Sequence, residues 1–279
     1  MKLANLGGQP VLLDQEAAYP IGQPVVPGAD PFIDAISNWE HVSTTIDRST
    51  PIPVDQVRFG PPVPRPGKIL GAPVNYLDHK KEMNVEHTIS GLGFFLKSPS
   101  SVTGGDGQVV LPFPGRRTDQ EAELGVVIGS TAKNVSLSEA LHHVFGYTCL
   151  VDVTVRGAEE RSTRKSFSGF TPIGPWITTA DEIPDPTDLR IRGWVNDELR
   201  QDESTAQMVY GVAQLIEFMS SVVTLEPGDI IASGTPAGVG PVSTGDTIAV
   251  EIDHIGRLEV PVAASDHEPH ALWLTRTAE

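Results

Sequence analysis

Asp119-Gln120-Glu121-Ala122-Glu123-Leu124-Gly125-Val126-Val127-Ile128-Gly129 is the stretch on which the reading of the fold turns. Its apolar half, Leu124 to Ile128, reads as a core strand. Its acidic half sets Glu121 and Glu123 two residues apart, and in a strand residues i and i+2 point to the same face. Two carboxylates forced together beside an apolar strand are unfavourable unless a proton or a cation relieves them. Taken alone, Glu-x-Glu also fits a solvated strand edge. A third carboxylate, Asp152, follows in Gly146-Tyr147-Thr148-Cys149-Leu150-Val151-Asp152-Val153-Thr154 and also interrupts an apolar strand. An all-oxygen set with open positions suits Mg²⁺ or Mn²⁺.

The chain has 279 residues, 39% of them hydrophobic. That supports one large domain, or a large domain with a small one. A net charge of −16 argues against nucleic acid or an anionic membrane surface as a partner. An anionic substrate is still admissible, because a local Lys, Arg or metal overrides the global field. The single cysteine, Cys149, excludes a disulfide framework within the chain and points to a reducing, cytoplasmic compartment. Inside an apolar strand it reads as a small buried hydrophobe. The first residues lack the apolar core of a signal peptide. No apolar run approaches the ~20 residues needed to span a bilayer, so no membrane partner is expected.

Outward from the acidic stretch, a β-rich α+β fold is expected. Lys2 to Leu6 and Gln9 to Leu13 form a hairpin about Gly7-Gly8, with Pro10 marking the second strand as an edge. Asp30 to Ile46 reads as one helix through Phe32, Ile33, Ile36 and Trp39. The proline-rich run from Pro51 to Pro66 is too broken for helix or central strand. It reads as a linker between a small N-terminal domain, residues 1–66, and a catalytic domain, residues 67–279. Strands are expected at 68–72, 93–97, 108–111, 122–128, 147–155, 176–178, 188–195, 229–233, 247–252 and 256–262. Ser136-Leu137-Ser138-Glu139 reads as a capping box opening a short helix to about Val144. Ser204 or Thr205 opens a longer helix with Met208, Val212, Leu215, Ile216 and Met219 on one face.

Three further segments carry chemistry. Asn75 to Glu82 reads as a helix start capped by Asn75, with His79 and Glu82 on one face. A carboxylate beside an imidazole fixes its tautomer and raises its basicity, as a general base needs. In isolation the pair equally fits a surface ion pair. Lys165, ahead of the apolar run Phe167 to Trp176, offers an ammonium to balance the acids or polarise a substrate oxygen. Gly234-Thr235-Pro236-Ala237-Gly238-Val239-Gly240 lets backbone approach a ligand, with Thr235 offering a hydroxyl and an amide. It also fits a plain turn.

Together the segments resemble the fumarylacetoacetate hydrolase superfamily. They are Asn75 to Glu82, Phe95 to Ser101, Asp119 to Leu124, Gly146 to Thr148 with Asp152 to Arg156, Pro172 to Trp176, Leu225 to Ile231 and Gly234 to Pro236. They run in order from about residue 68 to 262. The resemblance implies a mixed-sheet β-roll catalytic domain, usually dimeric, holding Mg²⁺, Mn²⁺ or Ca²⁺. It assigns the metal to Glu121, Glu123 and Asp152, the His-Glu pair of a mobile lid over about 75–90 to His79 and Glu82, and the active-site lysine to Lys165. Substrate contacts fall to Thr235, Arg156 and position 159. There the family often has Gln and this chain has Glu159, in a loop shorter than in many members. The implied reaction is hydrolysis of a C–C bond in a 2,4-dioxo acid by activated water, with the enolate leaving group stabilised by the metal. Isomerisation of hydroxymuconate-type dienes and oxaloacetate-type decarboxylation are the alternatives within the family, and a metal-dependent binder without catalysis lies outside it.

Overall fold

The computed structural model describes residues 1–14, 17–54, 57–84, 86–113, 115–183, 185–270 and 273. Ala122–Ile128 is buried at every position. It runs antiparallel to Val144–Val151 on one side and to Ile230–Ala232 on the other. Burial on both faces explains why this stretch is continuously apolar rather than alternating. Leu124, Val126 and Ile128 face one cluster with Ile191, Ile248, Val250 and Leu258 of a second sheet. Val127 faces the opposite cluster, with Leu150, Ile173 and the first helix's Ala35 and Ile36.

Among the described residues the main sheet has eleven strands. From Ala122–Ile128 it continues through Ile230–Ala232 to Ile69–Gly71 and Phe95–Lys97, and the other way through Val144–Val151 and Thr171–Thr179 to Lys2–Leu6. Ile69–Gly71 pairs parallel with Ile230–Ala232, so the sheet is mixed. A five-stranded sheet runs Glu198–Ser204, Arg190–Val195, Thr247–Ile252, Gly256–Ala264, Val109–Leu111. Thr154–Val155, Thr118–Gln120 and Gly240–Pro241 form a short third sheet. This is the β-rich, mixed-sheet roll expected. The N-terminal hairpin joins the same main sheet, because Lys2–Leu6 pairs with Thr171–Thr179. Among the described residues no helix is long and apolar enough to cross a membrane.

Several local expectations give way to side-chain chemistry. The 30–46 helix is two, Pro31–Ser37 and Trp39–Thr45. Asp30 caps the first as it should, accepting from the Phe32 and Ile33 amides. Asn38 then divides them, its side chain donating to the Asp34 carbonyl and carboxylate. Gln9–Leu13 is not an edge strand, since it pairs with both Lys2–Leu6 and Ala17–Pro20. Pro10 is tolerated because the Asn5 carbonyl opposite takes its proton from Gly60. The strand read as 147–155 is two, Val144–Val151 and Thr154–Val155, in different sheets, with Asp152 at the break. Ser136 contacts Ser138 instead of capping, and only a 3₁₀ turn forms at Ala140–His143. The longer helix starts late, at Val212–Val222. Thr205–Gln207 is a separate 3₁₀ turn, and Met208 lies outside both.

Two measurements test this packing. Gly146 sits between Val127 and Thr179 across the sheet, and a Cβ there would lie 2.2 Å from the Thr178 carbonyl oxygen. Gly146→Ala should cost about 3 kcal/mol, read as a lower urea midpoint with unchanged slope. A change under about 0.5 kcal/mol would show that these strands separate freely. Burial pushes the Cys149 thiol up to about 12. The native protein should therefore be inert to thiol reagents at pH 8, with one reactive thiol appearing on unfolding. The neutral thiol's contribution to stability is full below the ordinary thiol pKa and is lost as pH rises from about 9 towards 12.

Candidate active site and metal centre

The three carboxylates converge because of strand register. Ala122 pairs with Val151, and the Asp152 amide donates to the Glu121 carbonyl at 2.9 Å. That bond sets Glu121 and Asp152 side by side at the sheet's end. Glu123, two residues on from Glu121, joins them. One oxygen from each of the three lies within 4.8 Å of the others, and all three side chains are buried. Glu121 immediately precedes the regular strand rather than lying in it, yet the alternation still holds.

Cations are built in against this charge. Lys165 Nζ donates to Glu121 Oε2 at 2.8 Å, to Asp152 Oδ2 at 2.6 Å and to Thr154 Oγ1 at 2.6 Å. Those three bonds use all its protons, so in this arrangement it positions the acids and keeps none for a substrate oxygen. Lys97 Nζ, wholly buried, contacts Asp152 Oδ1 and donates to the Phe170 carbonyl at 2.8 Å. Arg156 donates to Asp119 at 2.6 Å and to Glu121 Oε1 at 2.9 Å. Glu123 differs from its neighbours. It makes no ion pair among the described residues and accepts one hydrogen bond, from the Gly234 amide at 2.8 Å.

The protonation tendencies follow this layout. Burial alone would raise Glu121, but Lys165 and Arg156 outweigh it and hold that carboxyl below the usual range. Burial, then the Asp152 and Glu121 carboxylates, push Glu123 well up. Burial lowers Lys97 despite the attraction of Asp152. Lys165 is raised, because Asp152 and Glu121 overcome its burial. The set fits a hard divalent ion: three convergent oxygen donors, one of them short of compensating charge, and open directions towards a pocket.

His79 lines that same pocket with the three acids. It lies on the helix Leu77–Glu82, and its Nδ1 is 2.8 Å from Glu82 Oε2. Glu82 Oε1 in turn accepts from the Gly238 amide at 3.0 Å. Asn75 is not the cap of this helix. Its amide donates to the Tyr210 and Ser233 carbonyls and accepts from the Tyr210 amide, fixing the turn before the helix to the body. The helix begins at Leu77 with no side-chain cap. Within the 75–90 span, residue 85 lies outside the described residues.

Of the other expected residues, Arg156 and Thr235 line the pocket. The Thr235 hydroxyl donates to the Ala122 carbonyl at 2.8 Å and accepts from Gln201 at 2.7 Å, which holds the glycine loop against the acidic strand. Glu159 does not line the pocket, because both its oxygens accept from Arg116, at 3.1 and 3.0 Å. Lys97, Gln201, Arg161 and Arg164 went unassigned in the sequence reading. Lys97 had a signal: it alternates with Phe95 in a strand whose inward face is buried. Gln201 had none, because Glu198–Ser204 is too polar to read as a strand.

Comparison with known proteins gives consistent findings. The family model for the fumarylacetoacetate (FAA) hydrolase C-terminal domain matches residues 68–263. Maleylpyruvate hydrolase of Aquipseudomonas alcaligenes is 41% identical over 275 residues, covering 94% of this chain and 96% of that protein. The crystal structure of maleylpyruvate hydrolase from Sphingobium sp. SYK-6, in complex with manganese(II) and pyruvate, superposes with a TM-score of 0.84 at 38% identity, over 95% of this chain and 100% of that one. A probable 2-hydroxyhepta-2,4-diene-1,7-dioate isomerase from Mycobacterium abscessus gives a TM-score of 0.79 at 28% identity, over 95% and 99%.

The unequal pairing of the acids separates two variants. Glu123→Gln removes a carboxylate with no cationic partner, so the metal-free protein should keep its stability while Mn²⁺ binding drops below detection by calorimetry. Asp152→Asn strips both buried lysines of their shared partner. It should lose Mn²⁺ binding and also about 3–5 kcal/mol of stability. Equal stability of the two variants would refute this division of roles.

Proposed function

The chain belongs to the fumarylacetoacetate hydrolase family, and from that premise we propose a Mg²⁺- or Mn²⁺-dependent hydrolase. It cleaves the C3–C4 bond of a 2,4-dioxo acid, an acylpyruvate, into pyruvate and a carboxylic acid. One observation carries the reading: an imidazole tied to a carboxylate at 2.8 Å opens onto the pocket that holds three buried acids. The names of the two hydrolase relatives, and the manganese and pyruvate of the Sphingobium complex, support it.

Glu82 keeps the His79 proton on Nδ1 and leaves Nε2 to accept. His79 takes a proton from water, and the resulting hydroxide adds to the 4-carbonyl. The C3–C4 bond breaks, its electron pair passes into the pyruvate enolate, and the proton on His79 is delivered to C3. Glu121, Glu123 and Asp152 would hold the divalent cation, which when bound supplies Lewis-acid stabilisation of negative charge on substrate oxygens. Lys165 keeps Glu121 and Asp152 in position and adds fixed positive charge beside the reacting centre. One such preorganised contact is worth ~3–4 kcal/mol of barrier. Arg156 and Thr235 border the substrate, and closure of the His79 helix excludes bulk water.

An isomerase or decarboxylase on the same substrate class is the second reading, favoured by the isomerase neighbour. It needs no attacking water, and the His79–Glu82 pair favours the first. The family match beginning at residue 68 supports a sequence boundary near residue 66 between a small N-terminal unit, whose strands extend the main sheet, and the catalytic domain. A homodimer in the cytoplasm completes the proposal, supported by the family resemblance and the lone cysteine.

Acetylpyruvate, fumarylpyruvate and oxaloacetate, each with Mg²⁺ or Mn²⁺ and followed by NMR, test the reaction. Pyruvate plus a carboxylic acid, abolished by EDTA, is expected. Pyruvate from oxaloacetate alone would convert the assignment to decarboxylase. Glu82→Gln should lower kcat about 10²–10³-fold with Mn²⁺ affinity unchanged. A parallel loss of Mn²⁺ affinity would remove Glu82 from its role as the base's partner.

A further inference from the structure

The match to the family domain ends at residue 263, yet the chain beyond it returns to a loop of the active site. The last strand, Gly256–Ala264, pairs with Val109–Leu111 as far as Ala264, and the Ser265 amide then donates to the Leu111 carbonyl at 3.0 Å. The Ser265 hydroxyl accepts from the His267 amide at 3.0 Å, which turns the chain at that point. Trp273 follows, its amide donating to the His270 carbonyl at 2.9 Å. Its indole packs against Phe113 and Phe167, with ring centroids 5.0 and 5.4 Å away. Phe113 and Phe167 themselves meet edge to face at 5.4 Å. The Arg116 guanidinium lies over the Phe113 ring at 5.0 Å and over the Trp273 ring at 5.3 Å. Aromatic pairs and a cation over a ring are both attractive in these geometries.

These contacts fall at the two ends of one loop. At its start Glu159 is paired with Arg116. At its end Phe167 follows Lys165 by two residues. Between them lies the helix Arg161–Arg164, a single turn with no stability of its own. Lys165 closes that helix and carries three bonds of fixed direction, to Glu121, Asp152 and Thr154. The chain after it is pinned at two points. Ser166 Oγ accepts from the Ser98 amide at 2.9 Å, and the Phe170 carbonyl accepts from Lys97 at 2.8 Å. The indole is the one group that touches supports of both ends.

We propose that Trp273 is a positioning residue for the metal centre: it holds the Glu159–Phe167 loop closed on the body and so keeps Lys165 in register with the acids. Lys165 uses all its protons on three acceptors, so a shift of its backbone loosens all three bonds together. The inference goes beyond the hydrolase reading and makes a residue outside the family domain part of the site's support.

Hydrogen exchange followed by NMR tests this on the metal-free full chain. In Trp273→Ala the amides of 160–168 should exchange about 10-fold faster, while those of Ala122–Ile128 and Val144–Val151 keep their wild-type rates. The Lys165 ammonium signal, observable because its bonds slow proton exchange with water, should broaden. Trp273→Phe should restore most of both effects. On an acylpyruvate that turns over, Trp273→Ala should lower kcat about 10-fold with KM unchanged. Faster exchange confined to the segment after residue 264, with 160–168 and the Lys165 signal as in the wild type, overturns the inference. If Trp273→Ala does not fold, the wild type decides. In low urea the Trp273 amide and those of 160–168 should open as one unit, with the same free energy and slope. Opening of Trp273 while the loop stays protected overturns the inference as well. Exchange needs no substrate, so failure of every acylpyruvate to turn over would sink the hydrolase reading and leave this one standing.

Discussion

Asp152 carries the constraint on which the rest depends. It is fully buried, and its two oxygens serve two buried lysines, Lys97 from one strand and Lys165 from the end of a short helix. Burying any of these charges alone costs several kcal/mol, and burying them together is tolerable only when each has its partner in place. The partners come from segments far apart in sequence, 55 and 13 residues from Asp152. The cluster therefore exists only in the closed fold. The main sheet fixes it through the Ala122–Val151 register and the Asp152 amide bond to Glu121. Slipping that register by one residue would turn Glu123 towards the opposite core cluster and leave the lysines without acids.

A rigid acid cluster contrasts with the element that brings the base. Leu77–Glu82 has six residues and no side-chain cap, and apart from His79 it is largely exposed. An isolated helix of that length is unstable in water. It is held by the Asn75 bonds at its base and the Glu82 bond to Gly238 at its far end. The second of these is a single exposed contact. The imidazole rides on the less anchored element, while the acids are set in or beside the sheet. An enzyme that must admit a polar substrate and then exclude water gains from that division.

What could be read from the chain follows from where each signal resides. The core strand at 122–128 was legible in full, because burial on both faces leaves an uninterrupted apolar run. The acids were legible because polar residues in such a run demand a reason. Helix ends were read less well. Asn75 and Ser136 have good capping chemistry in sequence, but tertiary partners claim Asn75, and Ser136 meets Ser138 instead. The Glu198–Ser204 strand was invisible, since its outward residues are charged and its one fully buried side chain is Gln201. Glu159 was singled out as a departure at a family position, and Arg116 is what takes it out of the pocket wall. That departure is legible from sequence, but its neutralisation is a three-dimensional fact.

The same loop shows why a substituted position has to be judged by charge balance. Glu159 taken alone would repel an anionic substrate. Paired with Arg116 it adds no net charge, and the side chains of Arg161 and Arg164 on the one-turn helix that follows make no ion pair among the described residues. The loop's net charge is thus legible only once the ion pairs are assigned. Exposed charges elsewhere on this acidic surface are screened beyond about 8 Å at physiological salt. The two guanidiniums line the pocket, with Arg164 partly desolvated, so the field there is set by nearby charges rather than by the chain's total.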